Sequence, residues 1–297
     1  MSGSIIIKKK ISKFNKTIIV SGDKSISIRW VLFSSIASGV SRSKNLLKSE
    51  DVFAAINAIK KLGIRVKLTK KNCSIYGKGI DGYNFKNNLK IDAKNSGTLG
   101  RLILGLLVNS TKSIKLIGDK SLSKRDFRRV TKPLQIFGAK FKTHSGKLPI
   151  EIIGTANPKP INYFENKGSA QCKSSIMLAA LNTNGTTVIK AKKSRDHTEL
   201  LFQHLKLPIK ILKKKNYDLI KIRGQNEIKP LVYNIPSDIS SSAFFIVLTA
   251  LSKNSKLLIK NVNINPTRTG ILKILKMMGV KIKIKNSRDY KGEKISD

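Results

Sequence analysis

Apolar positions in this chain follow two rhythms that alternate along its length. Phe127, Val130, Leu134 and Phe137 fall at helical spacing and share one helix face. Val280, Ile282 and Ile284 alternate with Lys281, Lys283 and Lys285, the pattern of a strand with one wet face. Leu102–Val108 and Ile176–Leu181 are continuous apolar stretches, each entered through small polar residues, and both predict buried helices. Gly63, Gly138 and Gly279 stand where a helix C-terminal cap is expected.

These signals recur as a unit. Each unit reads as a helix, a polar turn and a short apolar strand, then an acid-started helix, a glycine and an alternating strand. The second helix and last strand align best. The first copy runs Ser49-Glu50-Asp51-Val52 to Leu62-Gly63-Ile64-Arg65-Val66, and the second Lys124-Arg125-Asp126-Phe127 to Phe137-Gly138-Ala139-Lys140-Phe141. The fourth runs Pro266-Thr267-Arg268-Thr269 to Met278-Gly279-Val280-Lys281-Ile282. A third copy, Ser194-Arg195-Asp196-His197 to Leu205-Lys206-Leu207-Pro208-Ile209, lacks the glycine. Gly63 and Gly138 lie 75 positions apart, and Gly138 and Gly279 lie 141 apart, which leaves room for two units. The fold class is α/β, with helices beginning near Asp51, Asp126 and Asp196 in equivalent places.

Composition narrows the setting. With 297 residues and 40% apolar content the chain can fill two ordinary cores. Its two cysteines, Cys73 and Cys172, form neither a metal spacing nor a disulfide framework, which places it in a reducing cytoplasm. The short run Ile5–Ile7, followed by Lys8-Lys9-Lys10, is too brief for a signal segment, and no stretch approaches membrane-spanning length. The net charge of +42 admits a nucleic-acid binder. Against that, the lysines are spread evenly and no aromatic residues interleave them for base stacking. Biased composition explains the charge, and the charge would still draw in anionic substrates.

Four segments carry chemistry. Gly22-Asp23-Lys24-Ser25-Ile26-Ser27-Ile28-Arg29 delivers a point charge, a neutral donor and a rigid guanidinium fork from one tight turn, a socket for a multiply charged anion. Asn95-Ser96-Gly97-Thr98 opens a predicted helix whose free N–H groups suit an anion, although an ordinary N-cap reads the same way. Arg125 offers bidentate pairing to carboxylate or phosphate, but Asp126 follows it and is expected to neutralise it in part. Ser169-Ala170-Gln171-Cys172-Lys173 offers neutral donors and acceptors, or again a cap. The carboxylates Asp51, Asp126, Asp196 and Asp238 sit at predicted helix starts and are read as caps rather than bases. His144, His197 and His204 have no metal-ligand pattern and are read as surface or cap residues.

In order and spacing, these segments resemble the substrate-binding segments of the EPSP synthases (3-phosphoshikimate 1-carboxyvinyltransferases). The resemblance implies a two-domain enolpyruvyl transferase fold built from repeated βαβαββ units, with four of the family's six present. Residues 21–234 would form a complete three-unit domain, and residues 1–20 plus 235–297 a partial second domain with one unit of three. It implies enolpyruvyl transfer from phosphoenolpyruvate to the 5-hydroxyl of shikimate 3-phosphate, without metal or cofactor, by a cytoplasmic monomer. Lys24, Ser25, Arg29, Ser169, Ala170, Gln171 and Arg195 would hold shikimate 3-phosphate. Lys24, Asn95, Gly97, Arg125 and Gln171 would hold phosphoenolpyruvate. Ala170, Lys173 and Ser194-Arg195-Asp196-His197-Thr198-Glu199 resemble the variant called class II. The family's proton-transfer groups come from its last third, beyond Asp297, so the catalytic residues stay unassigned and the chain as written is expected to turn over little or not at all. Two other readings remain open. One is a UDP-N-acetylglucosamine enolpyruvyl transferase-like enzyme, whose reactive loop cysteine neither Cys73 nor Cys172 matches. The other is a basic nucleic-acid-binding protein.

Overall fold

The computed structural model describes residue 6 and residues 11–297. Apart from Ile6, the apolar run Ile5–Ile7, the lysines Lys8-Lys9-Lys10 and the rest of the first ten residues lie outside the described residues. Strand β1 (Asn15–Ile18) leads into helix α1 (Lys24–Ser35), strand β2 (Ser38–Lys44), helix α2 (Glu50–Lys61) and the hairpin β3 (Arg65–Leu68) and β4 (Asn72–Lys78). The next stretch holds β5 (Leu89–Asp92), α3 (Gly97–Leu106), β6 (Ile114–Ile117), the single turn α4 (Lys120–Ser123), α5 (Arg128–Ile136), β7 (Lys140–His144) and β8 (Lys147–Ile153). A third follows with β9 (Asn162–Glu165), α6 (Ala170–Leu181), β10 (Thr186–Lys192), α7 (His197–His204), β11 (Ile209–Lys213) and β12 (Tyr217–Arg223). The chain closes with β13 (Val232–Asn234), α8 (Ile239–Leu251), β14 (Lys256–Ile259), β15 (Val262–Asn263), α9 (Gly270–Met277), β16 (Arg288–Tyr290) and β17 (Glu293–Ser296).

The repeat is written in the sheets. Their orders are β13-β2-β4-β3, β5-β6-β8-β7 and β9-β10-β12-β11. In each, the first pair is parallel and the other two are antiparallel. In the first sheet, however, the opening strand is β13, which arrives from the far end of the third unit. Strand β1, which precedes α1 in sequence, pairs instead in parallel with β14. The chain thus exchanges first strands between its first and fourth units.

Two segments cross where that exchange occurs. Gly22 bridges Ser237 in antiparallel fashion, Asp23 N–H donates to Pro236 O at 2.8 Å, and Asp238 N–H donates to Ser21 O at 3.1 Å. A Cβ on Gly22 would lie 2.1 Å from Asn45 O, so only glycine lets the crossing close this tightly.

The four second helices end alike. Gly63, Gly138 and Gly279 follow the last helical turn with φ of +88°, +110° and +86°. In the third unit Lys206 takes the same left-handed position at +54°. The missing glycine there changed the residue and kept the cap, at the modest cost of a non-glycine side chain in that region.

Helices α1, α3 and α6 are the centre of the larger core. Ten of the twelve residues of α1, nine of the ten of α3 and ten of the twelve of α6 are buried. A helix surrounded on all sides needs no polar face, which is why these read as continuous apolar runs. Trp30, Phe33, Phe127 and Phe202 fill the largest volumes, and each contributes roughly 1.5–3 kcal/mol. This core takes in residues from Ile26 to Ile235. A second, smaller cluster gathers Val20, Ile239, Ile259, Val262 and Leu272.

One expected strand is absent. Residues 280–284 alternate in polarity but carry no strand assignment. Val280 N–H donates back to Leu275 O of the preceding helix at 3.0 Å, and strand-like pairing begins only at Lys285, which exchanges bonds with Asp297 at 2.9 and 2.8 Å. Alternation specifies a strand only where a neighbouring strand accepts its ladder.

Replacing Gly22 by Ala is expected to destabilise the chain by about 1–3 kcal/mol, because Asn45 O is backbone and cannot step aside. Gly270→Ala, with nothing within 4 Å of its Cβ, should stay within about 0.5 kcal/mol. Urea denaturation of both variants checks the contrast, and equal effects would refute the tight crossing.

Candidate active site

The three central helices share one N-terminal device. Asp23, Ser96 and Ser169 each accept a hydrogen bond from the backbone three residues on, at Ile26, Leu99 and Cys172. The caps read from Asn95-Ser96 and Ser169 are therefore real; in α6 the other first-turn N–H groups have no intrahelical acceptor, whereas in α1 Lys24 N–H is taken by Asp238 Oδ2 at 3.1 Å. First-turn side chains link the helices directly. Gln171 at the start of α6 donates to Thr98 Oγ1 at 3.1 Å and accepts from Arg101 Nη1 at 2.7 Å. Arg29 of α1 donates from Nη2 to Ser174 Oγ of α6 at 3.0 Å. Contacts at matching heights mean that the three N-termini gather at one end of the core, where their dipoles add a positive field.

Cationic side chains crowd that end in two groups. In the first, a Cβ on Gly97 would lie 2.9 Å from Arg101 Nη1 and 3.1 Å from Arg125 Nη1, so both guanidinium groups rest on a bare backbone. Burial, then the Arg129 and Arg125 charges, lower the Arg101 pKa to about 10. Its Nε finds no partner among the described residues. Arg125 is exposed and donates to Asn95 Oδ1 at 3.3 Å, while Asn95 Nδ2 donates to Asp119 at 2.6 Å. The expected neutralisation of Arg125 by Asp126 does not occur. Asp126 turns to Arg128, accepting from its backbone N–H at 2.7 Å and pairing with its guanidinium at 2.8 Å. An Asp at a helix start serves the local N–H donors first.

In the second group, Ser169, Ala170, Gln171 and Arg195 line one open cleft of about 590 Å3, together with Lys193 and Thr267. Burial, then the nearby Arg268 charge, lower the Arg195 pKa. Arg29 lies behind the cleft, 4% exposed, with Nε on Thr198 Oγ1 at 2.8 Å and Nη1 on Ser25 O at 3.1 Å. Burial lowers its pKa to about 10, which leaves it charged at neutral pH. Lys24 is half exposed, 3.5 Å from Asp51, and Ser25 beside it in sequence is partly buried. The structure therefore joins Gln171 to both groups and brings Ser169, Ala170, Gln171 and Arg195 to one cavity. Lys24, Ser25 and Arg29 do not line it.

Each carboxylate at the site already has partners. Asp51 meets Lys24, and Asp238 caps α8 through Ser240 N–H at 2.7 Å. Asp196 stands at the start of α7 but makes no capping bond there; it accepts from Asn265 Nδ2 at 2.8 Å. Glu199, fully buried, pairs with the equally buried Lys173. Among the described residues, no group of three or more His, Cys, Asp and Glu could hold a metal ion.

Sequence reasoning missed a buried network beside the cleft. Arg268 donates to Asp23 at 3.3 Å, to Asp238 at 3.3 Å and to Ser240 Oγ at 2.8 Å, and its Nη1 lies 3.2 Å from His197 Nε2. His197 is no surface residue: it is buried and its Nδ1 lies 2.6 Å from Glu293 Oε1. One arginine serves two carboxylates here, so burial and then the Asp238 charge raise the Asp23 pKa. The signal for Arg268 was present in the repeat. Arg195 and Arg268 each stand two residues before a second helix, and Arg125 stands three before its own.

Burial lifts the Glu199 carboxyl above its ordinary value, with Lys173 opposing the rise. Replacing Lys173 by Met should cost about 3–5 kcal/mol at pH 7, because it strands a buried charge. Native Glu199 already holds its proton more tightly than unfolded Glu199, and losing Lys173 widens that difference. The deficit is therefore full above the raised native pKa and shrinks as pH falls toward the ordinary carboxylate range. Unfolding at pH 7 and pH 5 tests this; a deficit that does not change with pH would break the assignment.

Known proteins share this architecture. A family model of EPSP synthase (3-phosphoshikimate 1-carboxyvinyltransferase) matches residues 8–295. The 3-phosphoshikimate 1-carboxyvinyltransferase of Thermoanaerobacter sp. (strain X514) is 41% identical over 298 residues, covering 99% of this chain and 68% of that protein. Its counterpart in Bacillus subtilis (strain 168) is 37% identical over 293 residues, covering 98% and 67%. The solved EPSP synthase of Acinetobacter baumannii superposes with a TM-score of 0.86 at 35% identity, over 96% of this chain and 64% of that one. The chain thus spans about two thirds of the length of these relatives, and on this match it belongs to the EPSP synthase family.

Proposed function

We propose that the cleft at the gathered helix N-termini binds shikimate 3-phosphate and phosphoenolpyruvate, and that it serves transfer of the enolpyruvyl group to the 5-hydroxyl with release of phosphate. The observation that carries this reading is the position of Gln171. It joins the Arg101–Arg125 group to the cleft of Ser169, Ala170 and Arg195, so two anion sockets share one wall. Two anionic substrates that must meet require such a pair of adjoining sockets.

On this reading Lys24, Ser25, Arg29, Ser169, Ala170, Gln171 and Arg195 hold shikimate 3-phosphate. Lys24, Asn95, Gly97, Arg125 and Gln171 hold phosphoenolpyruvate. The phosphate of the first substrate meets Arg195 and the first-turn N–H groups of α6, as a phosphate does at a helix start. The carboxylate and phosphate of the second meet Arg125, whose fork suits bidentate pairing. Protonation of the enol methylene and attack of the 5-hydroxyl, which gives up its proton, on the adjacent carbon give a tetrahedral intermediate; loss of phosphate together with one methyl proton then restores the enol double bond on the new ether. The clustered cations stabilise the anions throughout these steps. The general acid and base are not assigned to Asp51, Asp126, Asp196, Glu199 or Asp238, each of which is committed to a structural partner.

The same reading divides the chain into a three-unit domain over 21–234 and a second domain built from 1–20 and 235–297. Two separate apolar clusters and the crossing at Gly22 and Ser237 support that division. The protein would act in the cytoplasm as a monomer on small anions, without nucleic acid, and its charge of +42 would steer both substrates inward.

Calorimetry with shikimate 3-phosphate tests the proposal. Binding should be measurable, and Lys24→Ala should weaken it by about 1.5–3 kcal/mol, the range for hydrogen bonds to charged groups. Wild-type binding with no loss in Lys24→Ala would remove Lys24 from the site. No binding at all would remove the reading.

A further inference from the structure

Glu293 begins β17, 3% exposed, and three donors converge on its two oxygens. Oε1 takes His197 Nδ1 at 2.6 Å, and Oε2 takes Asn263 Nδ2 at 3.0 Å and Asn265 Nδ2 at 3.2 Å. Burial would raise this carboxyl, and the bonds from His197, Asn263 and Asn265 more than offset it, so its pKa lies below the ordinary value. On the far side of the imidazole, Arg268 Nη1 faces Nε2. A guanidinium only donates, so these partners assign Nε2 as the acceptor and place the ring proton on Nδ1, toward Glu293.

The segment this holds is the one that forms the cleft. Arg195 lines the cavity, and Asp196 accepts from the same Asn265 amide that serves Glu293. Thr267, which also lines the cleft, is tied to Asn265 Oδ1 through its N–H at 2.8 Å and its hydroxyl at 2.7 Å. Thr198, the next residue after His197, holds Arg29. The turn before Glu293 is pressed against the same helix: a Cβ on Gly292 would lie 2.6 Å from Leu200 O.

We propose that Glu293 is a positioning residue for the anion cleft. By fixing His197 and Asn265 it fixes the chain through Asp196, and so presents Arg195 to a bound phosphate group. This rests on the reading of the cleft as the shikimate 3-phosphate site.

The isosteric change Glu293→Gln isolates the effect. It replaces one oxygen by an NH2 group, and either orientation sets donor against donor, at His197 or at the two asparagines. Titration with shikimate 3-phosphate and with shikimate, for wild type, Glu293→Gln, Arg195→Ala and the double variant, reads the phosphate preference. Glu293→Gln should weaken shikimate 3-phosphate about tenfold, leave shikimate unchanged and add nothing to Arg195→Ala, as coupled residues do. Equal loss for both ligands, or additive losses in the double variant, would show a merely structural role and overturn the proposal. Hydrogen exchange supplies a readout that needs no ligand. Amides of 194–198 should exchange faster in Glu293→Gln while α3 and α6 keep wild-type rates; unchanged rates at 194–198, or uniform acceleration, would also overturn it. If wild type binds no shikimate 3-phosphate, the reading of the cleft falls, and the exchange data still decide the positioning role.

Discussion

The structure depends on one crossing. Two strands of chain, 21–23 and 235–238, pass each other in contact, and each carries a first strand into the neighbouring unit. Asp23 and Asp238 flank the crossing, and Arg268 from the fourth unit answers both. A single guanidinium between two buried carboxylates is a demanding arrangement, since removing it would strand two charges in a poorly solvated place. The same aspartates cap α1 and α8. The charges that hold the crossing therefore also set the start of two helices, one of them the helix that carries Lys24, Ser25 and Arg29.

From that crossing the cleft inherits its geometry. Cap residues in α1, α3 and α6 fix three helix starts, and Arg29, Arg101 and Gln171 lock those starts to one another. Repulsion among the cations is borne by packing: Arg101 rests over the Phe127 ring at 4.8 Å, and Arg29 is held by two hydroxyls. Cations held apart from water and near one another favour an incoming anion more than solvated ones would, because the cost of assembling them is met by folding.

Much of this was legible in the chain. Periodicity gave the helices, glycines at fixed intervals gave the repeat, and polar residues before apolar runs gave the caps that became the cleft. What escaped was whatever depended on distant partners. Asp126 reads as a neighbour of Arg125, yet its choice of Arg128 is decided by helix-start geometry. Residues 280–284 alternate like a strand but lack a neighbour to complete it. His197 reads as a cap residue because Glu293 lies 96 positions away, and no local pattern announces that pairing. Periodicity alone does not show the swap of β1 and β13, since either strand fits either sheet by composition; it entered only through the bounds 21–234 and 1–20 plus 235–297 that the family resemblance implied.

The two cores are unequal, and the cleft sits with the better packed one. Helix α8 is more apolar than α1 or α6, but only Ile239 and Ser242 are buried, while Phe244 and Leu251 are 79% and 80% exposed. An open cavity of about 560 Å3 lies among α8, β14 and residues 278–284. Yet the parts of the fourth unit that reach the cleft are not on that face. Asn265, Arg268 and Glu293 are joined instead to α7 and the crossing by buried and part-buried hydrogen bonds. Order at the anion cleft therefore comes from the crossing and the Glu293 network, and the exposed side of α8 contributes nothing to it.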